Sequence, residues 1–397
     1  MLSAASRPYI DASVPVLREH GLTITKTFYK AMFAAHPELN NIFNAGNQAN
    51  GSQQQSLASA VFAYAANIDN AAALAPVISR IVHKHVSLGI KAEHYPIVGK
   101  HLLEAIKEVL GDAATPELIA AWAEAYGLLA NALIEEEARL YKQAGIEPGQ
   151  LFDMRVTEIR EESKQVKSFT LVPADGSAAP AFRPGQYVSV AVTLPSGLRQ
   201  LRQYSLSDAP AGDHLRISVK REPANGETPA GMVSNWLHDN VQVGSILPVS
   251  SPFGDFLPAV EGDQPIVLLS AGVGITPMIS ALKRIAEVAP QRKVIFAHAA
   301  SCADHHAHRE DIEQAEQRMP NLQTITFYEE GAVAEGVVSG RMQLKVLPQW
   351  DRENTDVYMC GPLPFMQKQW ADLLAEGVPV QRLHREVFGP DMLDHLL

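Results

Sequence analysis

Along the first 146 positions apolar residues recur at three- and four-residue intervals, the period of an amphipathic helix. Punctuation is sparse: Gly21, Pro37, NAGNQANGS at 44–52, Pro76, GD at 111–112 and Pro116. This predicts an all-helical domain over 1–146, ended by the linker-like GIEPGQ at 145–150. From Phe152 the pattern shortens to alternating runs, FDMRVTEI, VKSFTLVP, QYVSVAVTL, LRQYSLS and LRISVKR, separated by Pro/Gly/Asp turns. Such spacing predicts an antiparallel barrel or sandwich over 150–258. Over 259–397 the continuous apolar strands IVLLS, KVIFAHA, TITFY and DVYMC alternate with helical stretches, the mark of a parallel α/β sheet. The fold class is multidomain: all-α, then antiparallel β, then α/β.

Composition narrows the partners. With 46% hydrophobic and 19% charged residues over 397 positions, the chain is of ordinary soluble, globular type. Its net charge of −11 and the lack of a long basic block speak against nucleic acid as a partner. Two cysteines, Cys302 and Cys360, make no disulfide framework and suit a reducing compartment. The N-terminus lacks the apolar core of a signal peptide, so a cytoplasmic location is expected. The most apolar helical segment, Leu118 to Ile134, contains Glu124 and Asn131 and falls short of a span of ~20 residues. It is expected to be a buried helix in a protein with no obligatory membrane, and a monomer is the simplest expectation.

Candidate chemistry begins with RIVHKHVSLGIKAEHYP, residues 80–96. At about 100° per residue, Ile78, Ile81, His85 and Leu88 form one apolar stripe, which predicts that His85 points into the core. His83 falls on the other side with Ser79 and Ser87 and is expected to be solvated, while His94 sits near the next helix start. A lone core histidine is ordinarily a hydrogen-bonded structural residue. Two more polar residues share its orientation, however. Gln53 lies on the face of Leu57, Val61, Tyr64 and Ile68, and Tyr29 shares a face with Met32 and Phe33. Buried polar groups are costly unless satisfied, so three of them from three helices suggest a polar-lined pocket.

HPEL, Phe43, Gln53 and Leu57 ahead of Lys84-His85, then Tyr95-Pro96, resemble a globin. The two regions behind it resemble flavin reductases of the ferredoxin–NADP reductase type, and together they are similar to a flavohaemoglobin over essentially the whole chain. The resemblance implies a haem b with His85 as its proximal ligand, Phe43 on the porphyrin, and Tyr29, Gln53 and Leu57 on the distal side where oxygen binds. Tyr95 would reach a carboxylate behind the histidine. Trp122, Leu129, Leu133 and Leu140 define a helix face that both Glu136 and Glu137 flank. Spacing does not choose between them; the family pattern selects Glu137. A carboxylate there makes the imidazole more electron-donating and favours oxygen activation over storage. Lys84 is similar to a family position near the reductase, its plain alternative being an exposed helix lysine.

In RPGQYVSV and RQYSLS an arginine can pair a phosphate, an aromatic ring can lie on a flavin and a hydroxyl can bond it. The resemblance gives these roles to Arg202, Tyr204 and Ser205, with Gln203 in the motif and Tyr187 as a further contact. GMVSNWLHD (231–239) is read as a helix start, with Gly231, Val233 and Ser234, that receives the FAD pyrophosphate. IVLLSAGVGITPM is strand, glycine turn and helix, and lacks the third glycine of the Rossmann fingerprint. In the reductase family this turn, here Gly272, Val273, Gly274, Ile275, Thr276 and Pro277, holds the pyridine nucleotide. YMCGPLPFM is similar to the family's second nicotinamide loop, which would fall at Cys360, Gly361 and Pro362. EVFGP, residues Glu386, Val387, Phe388, Gly389 and Pro390, resembles the segment covering the flavin. Cys360 as a redox thiol is the competing idea, but a buried strand-end cysteine is usually inert. DHHAHRE (304–310) shows no partner ligands for a metal. The linker lacks the glycine–tryptophan element often found there.

The resemblance implies an NAD(P)H-dependent oxidoreductase, a nitric oxide dioxygenase, in which electrons pass from NADH or NADPH through FAD to haem. Nitric oxide and dioxygen would be its substrates and nitrate its product. No 2′-phosphate clamp is assignable, so the choice between NADH and NADPH is open. The alternatives are a haem-based oxygen sensor or carrier kept ferrous by its reductase, and a flavin reductase serving an external acceptor.

Overall fold

The computed structural model describes residues 2–43, 48, 51–226, 229–331 and 336–389. Most of NAGNQANGS and the expected flavin-segment residue Pro390 lie outside the described residues. The chain divides into two compact units: Met1–Leu151 with Pro195–Arg202 and Gly389–Leu397, and Phe152–Leu194 with Gln203–Phe388.

The first unit is helical: α1 (Arg7–Ala35), α2 (Ser52–Ala66), α3 (Ala71–Leu88), α4 (His94–Leu110) and α5 (Pro116–Ala144). Local chemistry sets the ends. Asn70 caps α3 by accepting from Ala73 N at 3.1 Å, and α3 stops at Gly89 with φ 76°. Thr115 accepts from Leu118 N at 3.2 Å, Pro116 opens α5, and Gly145 closes it at φ 66°. Ile10, Leu17, Ile24, Phe28 and Met32 of α1 pack with Leu102 and Ile106 of α4 and with Trp122 of α5. Among the described residues α5 is the one helix long and apolar enough to cross a membrane. Within Leu118–Ile134, expected to be a buried helix, Ala121, Trp122, Ala125, Ala130 and Leu133 are buried while Leu118, Ile119, Leu128, Leu129 and Ile134 are half-buried, so one face of the helix and not the whole of it enters the core.

Six strands, β1 (Phe152–Glu161), β2 (Val166–Pro173), β3 (Tyr187–Thr193), β4 (Arg199–Ser205, of which Gln203–Ser205 belong to the second unit), β5 (Leu215–Lys220) and β6 (Ile246–Val249), form one sheet ordered β4-β3-β6-β1-β2-β5. An antiparallel bridge from Leu206, just past β4, to Ile217 of β5 joins the two ends and makes the sheet a barrel. Strand β6 did not stand out in the sequence because it is four residues long and contains Pro248. Helix α6 (Met232–Asn240) seals the barrel core with Val233 and Leu237.

The parallel sheet comprises β7 (Ile266–Ala271), β8 (Val294–Ala300), β9 (Leu322–Tyr328), β10 (Val337–Ser339), β11 (Asp356–Cys360) and β12 (Leu383–Glu386). Helices α7 (Ile275–Val288), α8 (Arg309–Arg318) and α9 (Leu363–Ala375) connect and cover it. Its order, β10-β9-β8-β7-β11-β12, reverses between β7 and β11. In open α/β sheets a ligand binds beyond the carboxyl ends of the strands at such a switch point.

Candidate functional site

Three residues from three helices converge at the end of α3. His85 Nδ1 lies 2.8 Å from Glu137 Oε1 and 3.1 Å from the Tyr95 hydroxyl, and Tyr95 donates to the same carboxyl oxygen at 2.5 Å. Both contacts use Nδ1. With Nδ1–H donating to Glu137, Nε2 carries the lone pair and is the ring atom left to bind a metal. Burial, reinforced by Glu137, pushes the Tyr95 phenol far above its ordinary range, so it remains a donor. The triad is held from behind. Tyr126 donates to Tyr95 O at 2.6 Å, and Gly99 admits the Tyr126 ring where a Cβ would sit 2.5 Å from it. Of the two glutamates that spacing left open, Glu137 is buried, whereas Glu136 is half-exposed and paired with Arg139.

Two expectations on α3 change. The fully buried row is Leu74, Val77, Val82 and Val86, while Ile78, Ile81, His85 and Leu88 are half-buried. The His85 face flanks the core without forming it, as befits a stripe that still has something to cover. His83, expected to be solvated, is half-buried, and Ser87, named on the same side, is buried and donates to Lys84 O at 2.8 Å. His94 opens α4 as expected. Lys84 is more than an exposed helix lysine: its Nζ donates to Gly389 O at 3.0 Å, within the first unit.

Tyr29 and Gln53 also meet. Gln53 Nε2 donates to the Tyr29 hydroxyl at 3.3 Å, which leaves that hydroxyl proton available to a further acceptor. Burial, partly offset by Gln53, pushes the Tyr29 phenol far up, so it stays protonated. Phe43 stands edge-on to Tyr29 at 5.8 Å between centroids, and Leu57 packs beside this core.

In the second unit the Ser205 hydroxyl is buried and, among the described residues, has no hydrogen-bond partner. A buried unpartnered hydroxyl is the feature expected of a group that bonds a ligand, and it falls on the RQYS motif. Tyr204 packs against the barrel core, and Gln203 is half-buried beside it in the chain. Arg202, counted with the first unit, donates from Nη1 to Gln200 Oε1 at 3.0 Å and to Leu201 O at 2.7 Å. The Tyr187 ring lies against Gly254, whose φ of 126° only glycine adopts readily. Gly231 caps α6, Val233 is buried, and Ser234 Oγ accepts from Glu222 N and donates to Gly231 O, each at 3.2 Å.

The two expected nucleotide loops touch at the switch point. A Cβ on Gly274 would lie 2.3 Å from Cys360 O and 2.6 Å from Gly361 N, so the turn and the CGP loop meet backbone to backbone. Gly272 has φ 53° and open space around it, Ile275, Thr276 and Pro277 are buried at the start of α7, and Val273 and Pro362 are half-buried and exposed respectively. Cys360 is fully buried, and burial together with Glu386 pushes its thiol well up, which opposes thiolate chemistry. Glu386 pairs with Cys360 across β11 and β12, Val387 packs on the sheet, and Phe388 is 44% exposed.

DHHAHRE has neighbours the sequence did not reveal. Ligand atoms of Glu162, His308 and Asp311 lie within 4.8 Å of one another. Arg216 and Lys283 already stand 2.8 and 3.2 Å from the Asp311 oxygens, so cationic side chains occupy the place a metal would take. The signal that could have found this cluster is Arg216 at a buried position inside the strand LRISVK.

Comparison with known proteins agrees with this layout. Residues 26–133 match the globin family, 153–257 the oxidoreductase FAD-binding domain and 268–370 the oxidoreductase NAD-binding domain. The chain is 47% identical over 404 residues to a flavohemoprotein of Rhizobium meliloti, covering 99% of each chain. It is 49% identical to one of Chromobacterium violaceum, covering 98% of each. Among solved structures it resembles a flavohemoglobin from Malassezia yamatoensis with bound FAD and heme, at TM-score 0.87 and 30% identity over 98% of this chain and all of that one. It also resembles the FAD/NAD-binding domain of a nitric oxide dioxygenase from Vibrio cholerae, at TM-score 0.57 and 40% identity over 60% of this chain and 99% of that one. The chain is therefore an oxidoreductase of the flavohemoprotein family, a globin joined to FAD-binding and NAD-binding reductase domains.

Proposed function

We propose that this protein is a nitric oxide dioxygenase that uses NADH or NADPH to turn nitric oxide and dioxygen into nitrate. Bound haem b would supply the iron at which the two gases combine, and FAD with the nicotinamide nucleotide would supply the electrons. The observation that carries the reading is the single Glu137 oxygen shared by His85 and Tyr95. An imidazole bonded to a buried carboxyl group is a stronger electron donor than one bonded to a carbonyl, and this suits oxygen activation. Support comes also from the name of the Vibrio cholerae relative.

The chain's own residues then have separable tasks. His85 would hold the iron through Nε2, and Glu137 and Tyr95 fix the imidazole ring and its tautomer. Tyr29 donates its hydroxyl proton toward the gas-binding side, oriented by Gln53, while Phe43 and Leu57 shape an apolar wall. Ser205, Tyr204, Tyr187 and Phe388 would hold the flavin ring and the start of α6 its pyrophosphate, and Arg202 would pair a phosphate. Gly272–Pro277 and Cys360–Pro362 receive the nucleotide at the switch point, and the proposed domains are 1–146, 150–258 and 259–397. Purified protein should show a Soret band with flavin absorbance, and His85→Ala should lose the first while keeping the second. A normal Soret band in His85→Ala would overturn the ligand assignment.

A further inference from the structure

Helix α7, which begins at the glycine turn, is fastened to the chain just past the flavin motif. Ser280 Oγ donates to Asp208 O at 2.6 Å, and Lys283 Nζ lies 2.6 Å from Asp208 Oδ1. Asp208 is three residues beyond Ser205. Burial would raise the Asp208 carboxyl, but the His214 hydrogen bond and the Arg216 and Lys283 charges outweigh it and hold it well below the usual carboxylate range. Helix α8 is fastened to the same place. Asp311 pairs with Arg216, whose Nε donates to Ser207 O at 3.1 Å. His308 completes the link: Nδ1 lies 2.8 Å from Asp311 Oδ2, and Nε2 lies 2.9 Å from Ser218 Oγ. Among the described residues His308 is the one non-glycine at positive φ, 61°, and it is fully buried. A left-handed histidine persists only where its surroundings over-determine it, and such positions cluster where geometry matters to function.

We propose that Asp208 and Lys283 are positioning residues for hydride transfer. Their ion pair fixes the nucleotide turn at the head of α7 relative to Ser205, and so sets the approach of the nicotinamide to the flavin. In that step NAD(P)H gives up one hydride, two electrons and a proton, to become NAD(P)⁺, and the flavin is reduced to its anion. The proposal rests on the placement of flavin and nucleotide argued above. A buried, multiply bonded carboxylate is a rigid anchor, and an error of about 1 Å in such an approach costs on the order of 100-fold in rate.

The test is anaerobic stopped-flow reduction of the full-length holoprotein by NADH, with Lys283→Met, Lys283→Arg and Asp208→Asn. Lys283→Met and Asp208→Asn should lower the limiting rate of flavin reduction about 10- to 100-fold. FAD content and the apparent Kd for NADH should change little. The long-wavelength nicotinamide–flavin charge-transfer absorbance should weaken, and amide exchange in 275–288 should speed up without nucleotide. Lys283→Arg should restore rate and absorbance. Wild-type rates and absorbance in Lys283→Met, or equal slowing in Lys283→Arg, would overturn the proposal. A wild type whose flavin NADH does not reduce would sink the cofactor placement itself, an outcome visible before any variant is compared.

Discussion

Glu137 Oε1 lies 2.8 Å from His85 Nδ1, although the two residues stand 52 positions apart on different helices. The side chain of Glu137 is 3% exposed, so its bond to the ring faces little competition from water. Glu137→Gln keeps the shape and weakens the acceptor. It should retain haem, lower the iron–histidine stretching frequency, and slow nitric oxide turnover by about 10- to 100-fold. Resonance Raman of the ferrous form checks this; an unshifted frequency would remove the electronic role.

Tyr29→Phe removes one hydroxyl from a buried site where Gln53 orients it. A hydrogen bond to a charged partner contributes roughly 1.5–3 kcal/mol, about 10- to 150-fold in oxygen affinity. Flash photolysis should therefore show faster oxygen dissociation, and flavin reduction by NADH should be unchanged. Wild-type oxygen dissociation would take Tyr29 out of the distal role.

Burial pushes the Tyr29 and Tyr95 phenols up. Their folded values lie above an unfolded value of about 10, so the stability they confer is complete below that pH and is lost above it. Oxygen dissociation should be independent of pH up to about 10. Urea stability of the holoprotein should fall beyond it, and less steeply in Tyr29→Phe. A titration of the oxygen off-rate near neutral pH would show that the phenol is not held protonated.

Ser205→Ala tests the unpartnered hydroxyl in the barrel. A neutral hydrogen bond is worth about 0.5–1.5 kcal/mol, so FAD should bind roughly 2- to 12-fold more weakly. Reconstitution of apoprotein with FAD measures it directly. Unchanged affinity together with an unchanged rate of flavin reduction would leave that hydroxyl without a function.

Periodicity made most of the architecture readable, because helix stripes, alternating strands and continuous buried strands each have their own period. Strand β6 did not, since Ile246–Val249 is too short to show one. On α3 the stripe through His85 set it on a side that meets Tyr95 and Glu137 but made that face too buried, because helical angle tells which residues share a side and not what that side meets. Glu136 and Glu137 differ by 100° on their helix, and only the packing of α5 against α3 buries one and leaves the other to Arg139. The Asp208–Lys283 and Arg216–Asp311 pairs join residues 75 and 95 positions apart, and no local pattern encodes them. The glycines were readable as turns, yet the contact of Gly274 with Cys360 and Gly361 depends on β7 and β11 being neighbours.

The central claim is the reaction. Purified holoprotein, given nitric oxide in aerated buffer with NADH and, separately, NADPH, should consume nitric oxide rapidly and yield one nitrate for each nitric oxide, with His85→Ala inactive. Oxygen binding and NAD(P)H oxidation without nitrate would contradict the dioxygenase account and leave an oxygen carrier or sensor kept ferrous by its own reductase.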